Sequence, residues 1–158
     1  MRACHLVTLI FILFISGCQI QKQEEQVKNS SISPDNLLVE GLILPLNVHD
    51  RTPGLSWHAN VITQTHFQIH AASSPAVLLS EQPDLWDSGK LKQRRSLHIP
   101  YEGKLLTSNQ SVYWRVRVWG EEAKEVSDWS EVHSWQMGLL EKDDWQAQWI
   151  QMMQEVVA

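Results

Sequence analysis

At 158 residues the chain holds one ordinary domain and an appendage, too little for a large enzyme. Thirteen basic residues against eighteen acidic ones leave a net charge of −5, with both signs mixed along the chain, so no basic stripe marks a nucleic-acid partner. The unusual component is tryptophan: six of the eight fall between Trp114 and Trp149, which places whatever is distinctive in the C-terminal half.

Residues 1–17 read as a targeting segment. Arg2 is followed by an apolar run from Leu6 to Ile15, broken only by Thr8, and then by Ser16-Gly17-Cys18. The run is too short for a helix that crosses a bilayer of about 30 Å and has the length of a signal peptide. Its ending resembles a bacterial lipobox, in which the Cys18 thiol would take diacylglycerol and become the mature N-terminus. That expectation gives a lipid-anchored protein of the bacterial cell envelope, in the periplasm or, because Gln19 rather than aspartate follows Cys18, on the outer membrane. Cys4 would leave with the signal segment, so no disulfide is expected within one mature chain. Residues 18–36, rich in Gln, Glu, Lys and Ser, have too little apolar surface to bury and read as a disordered tether with a reach of roughly 20–25 Å.

From Leu37 to about residue 140 the pattern has period two. Asn36–Gly41 opens it. In Gly54–Asn60, Leu55, Trp57 and Ala59 alternate with Ser56, His58 and Asn60. In Thr65–Ser73, Phe67, Ile69 and Ala71 alternate with His66, Gln68 and His70, a strand with one wet face. Ser96–Tyr101 and Glu131–Gly138 add two short strands, and turn signals separate them: Thr52-Pro53-Gly54, Ser73-Ser74-Pro75, Asp87-Ser88-Gly89 and Thr107-Ser108-Asn109. The fullest strand is Tyr113–Trp119, with Trp114, Val116 and Val118 facing a core opposite Trp57, and Arg115 and Arg117 on the outer face. Short strands at this spacing without intervening helices predict an all-β sandwich of about seven strands.

The arrangement resembles a fibronectin type III or immunoglobulin-like module, with a core Trp57 on the second strand and Leu106 ahead of an aromatic-headed penultimate strand. Val126-Ser127-Asp128-Trp129-Ser130 is similar to the Trp-Ser-x-Trp-Ser box of cytokine-receptor modules, with Val126 in place of the first Trp. That likeness implies a ladder of Trp129 against Arg117 and Arg115. In order, "RTPGLSWHA", "FQIHAASS", "LWDSGKL", "YEGKLL", "VYWRVRVWGEE" and "SDWSEVHSWQMGLLEKDDWQAQWI" resemble the N-terminal module of bacterial α-L-rhamnosidases, except that Met137 stands where a Thr commonly precedes Gly-Leu-Leu. The resemblance implies further β-domains and an α/α-barrel that removes terminal rhamnose by inversion with acidic residues. No position here matches those acids, so the chain is expected to be a non-catalytic accessory module of a secreted or surface rhamnosidase that stops before the catalytic domain. Residues 141–158 would then begin the next, missing domain, with Trp145 and Trp149 alternating with Ala147 as docking residues.

The remaining chemistry is thin. Asp84 with Asp87, and Asp143 with Asp144, are paired carboxylates, but all sit in turns or at strand ends where solvated acids are the commoner case. His66 and His70 share a strand face near two arginines, a poor setting for a metal. No phosphate loop or Gly-x-Ser-x-Gly elbow occurs, and neither cofactor nor metal is expected. The rival reading is a free-standing carbohydrate-binding or adhesion lipoprotein, with Trp86 and Trp119, beside Trp129, as candidate glycan contacts.

Overall fold

The structure is a computed structural model that describes residues 33–61, 63–121 and 126–147. Cys18, the expected signal segment, most of the expected tether and Trp149 lie outside the described residues. Strands β1 (Asp35–Val39), β2 (Gly54–His58) and β6 (Ile99–Pro100) form one antiparallel sheet in the order β1-β2-β6. The second sheet runs β4 (Trp86–Asp87), β3 (His66–Ala72), β7 (Ser111–Trp119), β8 (His133–Gln136), with β5 (Leu91–Lys92) also on β3. β1 begins at Asp35, two residues inside the segment read as tether.

β4 and β5 are one edge strand broken in the middle. Both pair with β3, and between them Ser88 takes over the ladder: its N–H donates to Ile69 O (3.0 Å) and its Oγ accepts from Ile69 N (2.8 Å). Gly89, at φ 61°, then turns the chain out of the pleat, which a side chain would resist. Counted so, the sandwich has seven strands among the described residues.

The chain also changes sheets between β1 and β2. After β1 it crosses over so that Pro45–Val48 runs beside β8: Gln136 N donates to Pro45 O (3.0 Å), Val48 N to Gln136 O (3.0 Å) and Gly138 N to Val48 O (2.7 Å). This closes one edge of the sandwich, as strand-switching corners do.

Period-two alternation puts Val112, Trp114, Val116 and Val118 of β7 inward, each fully buried. They meet Leu55 and Trp57 of β2 and Phe67 and Ile69 of β3 in one core. Trp57 packs edge-on against Phe67 (centroids 5.0 Å), and Tyr101 against Trp135 (5.9 Å). Each such side chain, fully removed from water, stabilises the fold by roughly 1.5–3 kcal/mol before entropy is subtracted. Met137, the departure from the rhamnosidase pattern, is buried, and its sulfur accepts from Trp135 Nε1 (3.2 Å).

Two expectations change. A one-turn helix, α1 (Pro75–Leu79), sits where a turn was expected: Ser74 Oγ accepts from Val77 N (3.3 Å), Pro75 pre-sets the first turn and Leu78 is fully buried. The outer face of β3 is not wet either. Gln68 and His70 are buried, because Trp129 stacks on His70 (4.3 Å) and α1 packs against β3 and β7.

The chain enters and leaves at opposite ends. Asp35 pairs with His58, beside Trp57, which packs on Phe67, the partner of Val118 near the end of β7. Gln136, the last residue of β8, pairs with Ser111, the first of the nine in β7. A strand of that length spans roughly 25–30 Å.

Candidate functional site

The outer face of the larger sheet carries a ladder of alternating cations and indoles. The Arg115 guanidinium carbon lies 4.4 Å from the Trp129 ring centre, and that of Arg117 lies 4.5 Å from Trp129 and 5.4 Å from Trp119. Lys90 Nζ sits 4.5 Å from the Trp119 ring. Each contact is worth about 0.5–1 kcal/mol at an exposed site and more where water is excluded.

Pairing of β3 with β7 sets the spacing. Gln68 opposes Arg117 and His70 opposes Arg115. Gln68 Oε1 accepts from both Arg117 Nε (3.0 Å) and Nη2 (2.7 Å), while its amide nitrogen donates to Asp87 Oδ1 (2.7 Å). Arg115 is 5 % exposed, a buried charge answered by Glu81 Oε1 at 2.6 Å from the segment after α1. Burial pushes the His70 imidazole below its ordinary range; Asp87 pulls it back, and Arg115 and Arg117 push the same way as burial. For Asp87 burial acts upward, but hydrogen bonds from Gln68 and Gly89 N outweigh it and hold the carboxyl below its usual value.

Trp129 is placed by two serines. Ser127 exchanges two hydrogen bonds with Val118, its N–H donating to the carbonyl (2.9 Å) and its Oγ accepting from the amide (3.0 Å). Ser130 does the same with Val116 (2.8 and 3.1 Å). β8 pairs only with Ser111–Trp114, so the two serines complete the edge of β7 beyond it and aim the intervening Trp129 across the sheet.

Trp57, Trp114, Val116 and Val118 lie in the core. The candidate glycan contacts present little free surface: Trp119 is 9 % exposed beneath Lys90 and Arg117, and half-buried Trp86 packs edge-on to Tyr101 (5.3 Å). Burial raises the Tyr101 phenol to about 12, and its O–H donates to Lys104 O (3.0 Å). One acid of each candidate pair is spent on a turn. Asp84 accepts from Ser73 N (2.8 Å) and Oγ (2.6 Å), and Asp144 from Glu141 N (2.9 Å) and Ser108 Oγ. Among the described residues no three His, Cys, Asp or Glu side chains converge on a metal position.

The outgoing chain is fastened before it leaves. Arg51 donates to Leu106 O and Glu141 Oε1, and Leu140 N donates to Ser108 Oγ (2.9 Å). Trp145, beyond a short 3₁₀ turn at Lys142–Asp144, is 69 % exposed. Lys90, Gln68 and this junction were not anticipated; Lys90 had a signal, its place in the Trp-Asp-Ser-Gly-Lys motif.

Residues 34–141 match the family model described as the Rha78A-like, N-terminal immunoglobulin domain. An α-L-rhamnosidase of Formosa agariphila is 39 % identical over 152 residues, covering 92 % of this chain and 16 % of that protein. One from Alteromonas sp. is 35 % identical over 147 residues, covering 90 % and 15 %. Among solved structures, the α-L-rhamnosidase of Dictyoglumus thermophilum superposes with a TM-score of 0.72 at 32 % identity, over 78 % of this chain and 14 % of that one. The Streptomyces avermitilis enzyme complexed with L-rhamnose gives 0.68 at 33 %, over 75 % and 12 %. The chain thus spans about one sixth of the length of these relatives. With its seven-strand sandwich and the ordered motifs that build it, it belongs to the α-L-rhamnosidase family, as that family's N-terminal immunoglobulin-like domain.

Proposed function

We propose that this chain is a non-catalytic accessory module of a secreted, lipid-anchored α-L-rhamnosidase, a domain that spaces and orients the domains behind it. The observation that carries the reading is the family match over residues 34–141, in a chain that spans about one sixth of relatives named for removing rhamnose. The geometry supports a spacer: the chain enters at one end of the sandwich, leaves at the other, and is fastened at the exit by Arg51 and Ser108. Arg115, Arg117 and Trp129 serve as a structural brace, since both guanidinium groups stack on Trp129 and donate to Glu81 and Gln68. Lipidation at Cys18 would hold the module on the bacterial envelope.

Two experiments test this. The DNA downstream of the last codon, read in all frames, should encode a rhamnosidase body; unrelated sequence would defeat the reading. Cells fed labelled palmitate should label the chain, and Cys18→Ala should abolish the label. The 158-residue chain alone is expected to leave aryl rhamnosides intact, and measurable hydrolysis would overturn the non-catalytic assignment.

A further inference from the structure

The crossover between the two sheets exposes an aliphatic cluster that the fold itself does not need. Leu42, Ile43, Leu44 and Leu46 are 59 %, 66 %, 52 % and 74 % exposed, and no charged side chain interrupts Gly41–Leu46. The segment is not slack. Val39 and Leu42 exchange two backbone hydrogen bonds, each 2.9 Å, across a turn whose central Glu40 and Gly41 have positive φ (52° and 75°). The Glu40 carboxylate accepts from Gly54 N, and Pro45 is buried with its carbonyl bonded to Gln136 N. Leu44 itself is at φ 48°, a left-handed conformation that a branched side chain adopts against its preference. A pinned, partly strained turn that holds four aliphatic side chains in water is the mark of an interface.

We propose that Leu42–Leu46 is the seat on which the domain that follows this module docks through an apolar patch of its own; the inference rests on the accessory-module reading. The position of the exit selects this occupant. The outgoing chain lies on the same edge as the loop: Gly138 N donates to Val48 O, two residues after Leu46, and the chain then leaves through Leu140 towards the exposed Trp145. In the relatives about five sixths of the polypeptide lies outside this N-terminal domain, so the first domain after it starts beside the aliphatic turn. The uncharged surface calls for an apolar counterpart rather than a glycan or an anion.

The test mixes the 158-residue chain with the Formosa agariphila α-L-rhamnosidase shortened by its matching front module and follows complex formation by light scattering. A 1:1 complex is expected, weakened about tenfold or more by Ile43→Asp with Leu44→Asp and unchanged by Leu97→Asp, an exposed leucine elsewhere. If the shortened enzyme does not fold alone, the chain is grafted in front of it. The wild-type graft should then restore a folded, active enzyme and the double variant should not, although its own module still melts as before. Equal behaviour of both grafts, or of both chains in the mixture, removes the loop from docking and leaves the accessory role standing. No complex and no rescue with either defeats both. Sedimentation with phosphatidylethanolamine and phosphatidylglycerol vesicles, or a concentration-dependent dimer, each lost in the double variant, would overturn the proposal in favour of a lipid surface or a second copy.

Discussion

Trp129 shows how one residue couples the chemistry of an outer face to the stability of the sheet beneath it. Its ring touches two guanidinium groups and an imidazole at 4.3–4.5 Å, so truncation removes apolar contact and uncovers Arg115, Arg117 and His70 together. Trp129→Ala is therefore expected to cost about 2–4 kcal/mol, read as a lower urea midpoint; a loss under about 0.5 kcal/mol would show the ladder to be decoration. His70 adds a pH dependence. Burial holds its folded-state pKa below the unfolded value near 6.5, so the unfolded chain takes up the proton first and stability rises with pH. The contribution is complete above about pH 6.5 and is lost as pH falls from there towards the folded value. Asp87, held below its usual value, acts in a separate and more acidic window, beginning under about pH 4. His70→Phe keeps a ring against Trp129 and should flatten the decline between pH 7.5 and 5.5. Equal declines in the variant and the parent would exclude His70 as the titrating group.

At the scale of elements, the edge of β7 is finished by side chains rather than by strand. Without Ser130 Oγ the buried Val116 amide has no acceptor, and without Ser127 Oγ neither has that of Val118. Each Ser→Ala change is expected to cost about 1–3 kcal/mol, with faster amide exchange confined to the valine each serine serves. Exchange that rises evenly over β7 would instead mean that the box acts on the whole sheet. The inner halves of these elements were legible from the sequence, since strict alternation at Trp114, Val116 and Val118 or Phe67 and Ile69 leaves one apolar face to bury. The outer face was misjudged because its cover is non-local: Trp129 and Glu81 are far along the chain from His70 and Arg115, and no periodicity encodes that approach. The stack on Trp129 was reachable from the likeness of Val126–Ser130 to a known box, whereas Gln68 as the acceptor for Arg117 comes only from strand register. Gly41–Leu46 has no period at all, so its exposure could be read only from the fold.

For the whole molecule, the decisive quantity is the separation of its two attachment points. Asp35 lies at the end of the sandwich where β7 finishes, and the fastened turn at Asp143 lies beyond the end where it starts. With nine residues in β7 at about 3.3 Å each, the points are on the order of 30 Å apart. If the module were held by its N-terminus, it would add that length between the point of attachment and whatever follows, instead of returning the chain to where it began. The sandwich has a single core spanning both sheets, so the spacing should behave as one stiff element. Spin labels at Asp35→Cys and Asp143→Cys, with Cys4 and Cys18 replaced by Ser, should give a single narrow distance distribution centred near 30 Å, widened by a few Å for the label arms. The distance should persist until the cooperative unfolding transition and then broaden in one step. A main population under about 15 Å, or a broad distribution well below that transition, would rule out the module as a rigid spacer. It would then be only a globular bead on a flexible chain, and the orientation of any domain behind it would have to come from that domain's own contacts.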